Sequence, residues 1–307
     1  VLFTILPLIV MILVAFTNYS STYMNPKHLF DWVGMYNFKT LFGLTNVGGD
    51  DFVAVFARIM LWTLIWAIFA TFTNYFFGMI VAMLINRKGI RLKKIWRTIL
   101  VTTIAVPQFI SLLFLSKLLA ENGGINSLLL KWGWISSPIG FLDDALTAKI
   151  TIIVVNMWIG IPYTMLMCSG ILMNIPADLY ESARIDGASP FKMYMKITLP
   201  YMLFVTGPYL ISNFVGNINN FNVIYLLSGG NPMFTNINGN LIDTSKVYSA
   251  GQTDLLITWL YKMVMTSTNK EYGVASVIGI VIFIILATVS SIVYGRTNAV
   301  KNEGDFQ

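Results

Sequence analysis

The chain has 307 residues, of which 56% are hydrophobic and 11% charged, with a formal net charge of +6. Soluble domains carry roughly 25% charged residues, so this composition, with a mean hydropathy of +0.70, excludes an ordinary cytosolic enzyme. The apolar residues fall in runs near the ~20 that a helix needs to cross a ~30 Å hydrocarbon core, not in the short alternating segments of a barrel.

These runs predict helices at 1–18, 58–85, 98–119, 150–173, 203–227 and 274–295. The expected fold is an all-α integral membrane protein with six visible transmembrane helices in a single domain spanning 1–307. The first run begins at Val1 without an initiator Met or a basic flank, which reads as a helix lacking its natural start rather than a signal peptide. Helices upstream of it are allowed by this reading.

Basic residues set the orientation, because Lys and Arg concentrate on the cytoplasmic side. The stretch RKGIRLKKIWR at 87–97 carries Arg87, Lys88, Arg91, Lys93, Lys94 and Arg97 without an acid. It must share a side with the 174–199 segment and the C-terminal tail. The cluster is expected to orient the chain and to touch anionic lipid headgroups; no nucleic-acid binding is expected. A single cysteine, Cys168, and a single histidine, His28, give no disulfide, metal site or catalytic group. The phosphate-cradling GxxxxGK[ST] pattern is missing, so any ATP hydrolysis belongs to another subunit.

Polar groups at membrane depth need a reason, since they are costly there. No Asp, Glu, Lys or Arg sits in the middle of a predicted span, which argues against an anionic substrate and against a carboxylate proton relay. On the third span lies Gln108, in IAVPQF. The fourth holds Asn156 and Gly160, in NMWIGIPY, and Pro107 and Pro162 are expected to interrupt these two helices. Trp158, Tyr163, Phe214 and Phe221 are aromatic candidates for stacking on a sugar face, with plain packing as the alternative.

Between the fourth and fifth spans runs NIPADLYESARIDGASPFKMYMKITLP. Asn174 is a plausible N-cap with Pro176 in the first turn, and Gly187 is placed to end that helix in a left-handed conformation. Ser189 then caps a second helix with Pro190 at its first position, and Pro200 marks entry to the next span. Leu179, Phe191 and Met195 either pack back on this protein's own helices or form an apolar patch for a peripheral subunit, rimmed by Glu181, Arg184 and Asp186.

On the fifth span, ISNFVGNINNF places Asn213, Asn217 and Asn220 at i, i+4 and i+7, on one helix face. Carboxamides both donate and accept, which suits sugar hydroxyls. The alternative is hydrogen bonding between helices, worth about 0.6–2 kcal/mol per contact.

The 174–200 segment resembles the cytoplasmic signature of ATP-binding-cassette importer permeases, EAA, three residues, Gly, nine residues, then I-x-L-P. Glu181, Ala183, Gly187, Ile197, Leu199 and Pro200 fall at that spacing, and Ser182 stands where Ala is usual. The resemblance implies that this hairpin, Asp186 included, docks two separate ATPase subunits. Through GMYNF, AVPQFIS, GGINSLLL, NMWIGIPY, NINNFNVIYLLSGGNP and GQTDLLITWLYK, the chain from about Gly34 to the sixth span further resembles the larger permease subunit of maltose and maltodextrin importers. That family implies maltose contacts at Gln108, Asn156, Ile159, Gly160, Asn213, Asn217 and Asn220. In its best-known member a serine stands in place of Gln108 and Asn213, and an aromatic in place of Ile104.

The implied assembly has a second permease subunit, two ATPases that hold ATP and Mg, and an extracytoplasmic sugar-binding protein, all at a bacterial inner membrane. No cofactor is expected in this chain itself. The large external domain that some members insert is missing from the first external loop, so docking of the binding protein is expected on shorter loops, among them 228–272 with its apolar DLLITWLYKMV. Within the importer class the runner-up substrate is another neutral oligosaccharide or a polyol; a secondary transporter or channel, lacking its ion-coupling carboxylates here, and a purely structural subunit, which leaves the asparagine stripe unexplained, are the competing classes.

Overall fold

The computed structural model describes residues 2–20, 31–44, 49–87, 89–237, 239–267 and 270–296. His28, Lys88 and the tail after Arg296 lie outside them. In chain order the helices are α1 (Leu2–Val14), α2 (Tyr36–Leu41), α3 (Gly49–Asn86), α4 (Lys93–Ala105), α5 (Gln108–Leu118), α6 (Gly124–Lys131) and α7 (Ala145–Leu172). They continue with α8 (Ala177–Ile185), α9 (Pro190–Met193), α10 (Leu199–Ile218), α11 (Phe221–Leu227), α12 (Leu256–Tyr261) and α13 (Tyr272–Arg296). A two-stranded antiparallel ribbon, β1 (Asn236–Ile237) and β2 (Asn240–Leu241), is an unpredicted addition between α11 and α12.

The chain is a helical membrane protein. Among the described residues, α3, α7 and α13 are each long and apolar enough to cross a bilayer. The apolar α1 is shorter, and α4 and α5 qualify only as a pair. Side chains such as Leu61, Phe69 and Phe77 on α3 and Ile150 and Val154 on α7 are exposed, a surface that needs lipid to cover it.

Two predicted spans are broken. The third, expected as one run over 98–119, bends by 89° between α4 and α5. Pro107 has no N–H to donate and forces its predecessor out of helical geometry, and Val106 is accordingly extended at φ −81°, ψ 125°. The fifth, expected over 203–227, stops at Ile218 and restarts at Phe221. Pro162, in contrast, does not interrupt its helix: α7 runs through it, giving up one backbone bond.

The described chain groups into two compact units. The first comprises Val1–Trp66, Leu112–Ile152 and Ile218–Val289. Its core joins Phe52, Val55 and Ile59 of α3 to Val277, Ile278 and Ile282 of α13, with Trp259 and Met263 between them. The Trp259 indole donates to the Val247 carbonyl at 2.9 Å. In the same unit the fully buried Asp254 carboxylate accepts from Lys262 Nζ at 2.7 Å, from Thr258 Oγ1 at 2.9 Å and from the Gly251 amide at 2.7 Å. Burial pushes the Asp254 carboxyl above the usual carboxylate range, opposed by the Lys262 ammonium and by these donors. Gly230, at φ +86°, leaves room for this pair, since a Cβ there would run into both partners.

The apolar pattern of DLLITWLYKMV is therefore consumed by this core. Leu255, Leu256, Trp259 and Met263 are buried, so the expected docking face on that stretch is turned inward.

The second unit comprises Ala67–Ser111, Ile153–Asn217 and Ser290–Gln307. Tyr75, Met79, Met165, Cys168 and Met202 form its core, and the Tyr75 hydroxyl bonds Thr206 Oγ1 at 2.8 Å. At the end of α3, Asn86 donates to Ser169 Oγ at 3.0 Å, while Lys93 donates to its carbonyl and Arg97 to its Oδ1. Basic side chains at a helix C-terminus satisfy carbonyls that have no partner within the helix.

Candidate functional site

The second unit contains a cavity of about 560 Å³. Four helices wall it. Gln108, the first residue of α5, reaches it because the Pro107 break brings the helix start there. From α7 come Asn156, Ile159, Gly160, Tyr163 and Thr164, recurring at helical spacing. Next, α10 supplies Tyr209, Asn213 and Asn217, one turn apart, and α3 supplies Asn74. No lining side chain carries a charge.

Within the wall, Asn217 Nδ2 donates to Asn213 Oδ1 at 2.9 Å and to Thr71 Oγ1 of α3 at 3.0 Å. Asn213 Nδ2 donates to the Tyr209 hydroxyl at 3.4 Å. The two amides thus line the cavity, and Asn217 also bonds a neighbouring helix, the alternative use foreseen for this stripe. By contrast Asn74 Oδ1 and Asn156 Nδ2 are buried without a hydrogen-bond partner. An amide group left so costs roughly 1–3 kcal/mol.

The structure brings Gln108, Asn156, Ile159, Gly160, Asn213 and Asn217 into one wall. Asn220 is not among the lining residues and belongs to the first unit. Because α10 has ended, Asn220 does not share a helix face with Asn213 and Asn217. It sits at φ −75°, ψ 89° and accepts from the Val223 amide at 3.3 Å as the N-cap of α11. Of the aromatic candidates, Tyr163 lines the cavity. Phe221 instead stacks on Tyr225 at 4.8 Å in the first unit. Asn74, Thr164 and Tyr209 were missed, although a lone carboxamide in the apolar run TFTNYFF was a legible signal.

The 174–200 hairpin is the second candidate. At the start of its first helix Pro176 stands in the N-cap position without a side-chain cap bond, and the expected cap Asn174 lies two residues earlier, its backbone N–H donating to Ile171 O at the end of the preceding helix. At its other end Ala188 N donates to Ala183 O at 2.8 Å and Gly187 N to Arg184 O at 3.0 Å, closing a Schellman motif around Gly187 at φ +73°. Ser189 Oγ then accepts from Lys192 N at 3.3 Å to start α9, which passes through a π turn at Tyr194–Thr198 into α10. Leu199 and Pro200 open that helix, and Ile197 lies within the π turn. Tyr180 and Thr198 bond across the hairpin at 2.8 Å.

Helix α8 buries no residue. Glu181, Ser182 and Asp186 are exposed, Ala183 is half-buried, and Ile185 and Phe191 are 87% and 73% exposed. Of the apolar side chains of the hairpin, Ile185 and Phe191 do not pack back on this chain, Leu179 and Met195 are about half covered, and Ile175, Tyr194 and Leu199 pack against it.

Residues 74–299 match the family described as binding-protein-dependent transport system inner membrane component. The chain is 35% identical over 308 residues to the maltodextrin transport system permease protein MalC of Streptococcus pneumoniae, covering 97% of this chain and 66% of that protein. It is 33% identical over 300 residues to the galactooligosaccharides transport system permease protein GanP of Bacillus subtilis, with 97% and 67% covered. The chain thus spans about two thirds of the length of these relatives. Its fold matches that of a chain in a bacterial alginate transporter crystallised with its periplasmic protein, with a TM-score of 0.70 at 20% identity over 98% of this chain and 90% of that one.

Proposed function

The chain belongs to the binding-protein-dependent transport system inner membrane component family, and on that premise we propose that it is the permease subunit of an ATP-driven importer of neutral oligosaccharides of the maltodextrin type. The observation that carries this reading is the cavity of about 560 Å³ walled by carboxamides and hydroxyls with no charged side chain. Such a wall exchanges hydrogen bonds with sugar hydroxyls and offers no counter-charge to an anionic substrate.

In this reading the sugar passes through the cavity by alternating access, from an extracytoplasmic binding protein to the cytoplasm. The chain is a transport component of the inner membrane, paired with a second permease subunit, and not an enzyme. Two separate ATPases, which hold ATP and Mg, dock on the hairpin through Leu179, Ile185 and Phe191, with Glu181, Arg184 and Asp186 as the polar rim. The open exposure of Ile185 and Phe191 supports this role, because apolar side chains left outside the membrane need a partner surface. Galactooligosaccharides are the second substrate class, favoured by the likeness to GanP.

Uptake by vesicles holding the complete transporter tests the reading. Wild-type protein should import maltodextrin with ATP and binding protein present. Asn217→Leu, which removes a lining amide, should lower uptake at least tenfold. Wild-type uptake rates in that variant would refute the site.

A further inference from the structure

Asn74 is the one carboxamide that α3 contributes to the cavity wall. Its position is fixed by a close seam between α3 and α7. A Cβ on Gly160 would collide with the Asn74 carboxamide, and one turn further a Cβ on Gly78 would come within 2.6 Å of Thr164 Cβ and 3.1 Å of Met165 N. Gly160 therefore has no side chain because Asn74 occupies the space, and α3 and α7 meet at two levels four residues apart.

An asparagine in such a seam ordinarily bonds across it. Several polar groups of the adjoining turns are committed elsewhere. Thr164 Oγ1 donates to Gly160 O at 2.9 Å, Thr73 Oγ1 to Phe69 O at 2.6 Å, and Asn217 Nδ2 to Thr71 and Asn213. Asn74 Oδ1 is left buried without a partner, and Asn156 Nδ2, in the same wall, is left likewise. The buried amide atoms of the cavity wall that lack a partner lie at Asn74 and Asn156, while Asn213 and Asn217 are bonded to each other.

Resting on the sugar-permease reading above, we propose that Asn74 contacts the transported sugar and is a specificity-determining residue of the cavity. It accepts a hydrogen bond from a sugar hydroxyl that Gln108, Asn213 and Asn217 do not reach. The terminal amide torsion of asparagine is soft, so a rotation about Cβ–Cγ carries Oδ1 from its sealed position toward the ligand. The group demanded is a neutral hydroxyl donor, which a polyhydroxylated chain supplies and an apolar or carboxylate ligand does not.

Hydroxyl deletion in the sugar, combined with Asn74→Leu, tests this in vesicles holding the complete transporter and saturating binding protein. Maltose and its singly deoxygenated analogues are compared as substrates of wild type and variant. In wild type one analogue should show a half-saturation about five- to tenfold above that of maltose, the worth of one neutral hydrogen bond. In the variant that penalty should vanish, because the lost hydroxyl has no partner left. Selectivity by the binding protein is common to both and cancels.

If every analogue keeps the same penalty in both proteins, Asn74 packs the seam without touching sugar and the proposal falls, with the permease reading intact. If wild type imports none of the neutral sugars, the permease reading falls first and the proposal with it. Asn74→Ala, which cannot overfill the seam and offers no acceptor, takes the place of Asn74→Leu should the latter not assemble, with the same two outcomes.

Discussion

At the scale of single residues, the decisive quantity is whether a buried polar group is answered. Asp254 and Lys262 answer each other at 2.7 Å with Thr258 and the Gly251 amide completing the shell. Removing one member strands the other, which costs about 3–5 kcal/mol. Lys262→Met should therefore sharply lower the thermal unfolding temperature of the detergent-solubilised protein, and the added exchange Asp254→Asn should restore part of the loss. An unchanged unfolding temperature in the single variant would show the pair to be dispensable. Lys262 and Asp254 were legible in TDLLITWLYK only as residues eight apart; that their side chains meet depends on how α12 packs under Gly230.

Helix ends decide most at the scale of elements. The caps of α9 at Ser189 and of α8 at Gly187 were legible because they are local chemistry: a hydroxyl reaching an amide three residues on, and a residue that tolerates positive φ. Asn220 was misread for the opposite reason, since the i, i+7 spacing holds only if the helix continues. The cap role carries its own test. Asn220→Ala should cost about 1 kcal/mol of stability, visible as a lower unfolding temperature, whereas Asn220→Asp, which keeps the accepting oxygen, should not. Equal losses in the two variants would remove the cap from the account. Proline shows the same limit: Pro107 breaks its span by 89° and Pro162 does not break its own, although both read alike in the sequence.

The whole molecule joins the cavity and an exposed hairpin through α10, which carries Asn213 and Asn217 and begins where the hairpin's second helix ends. On the proposed function, movement of docked ATPases reaches the cavity wall along this helix. Gly187→Val forces a β-branched residue into φ +73°, at about 1–2 kcal/mol. It should leave the chain in the membrane while reducing both sugar uptake and sugar-stimulated ATP hydrolysis several-fold. Full uptake in that variant would remove the hairpin from the coupling path.

The sequence by itself determined the class and the parts: helices of membrane length, an uncharged path and a hairpin with its own caps. Each of these follows from solvent and local geometry, because hydropathy, glycine and capping groups act within a turn or two of the chain. Only the tertiary structure decided which amides are free. Asn74, Asn156 and Asn217 are chemically the same group, yet Asn217 is bonded to Thr71 and Asn213 while Asn74 Oδ1 and Asn156 Nδ2 have no partner. Which amide is bonded to a neighbouring helix and which is left without a partner depends on donors and acceptors far apart in the chain, and no spacing along one helix records them.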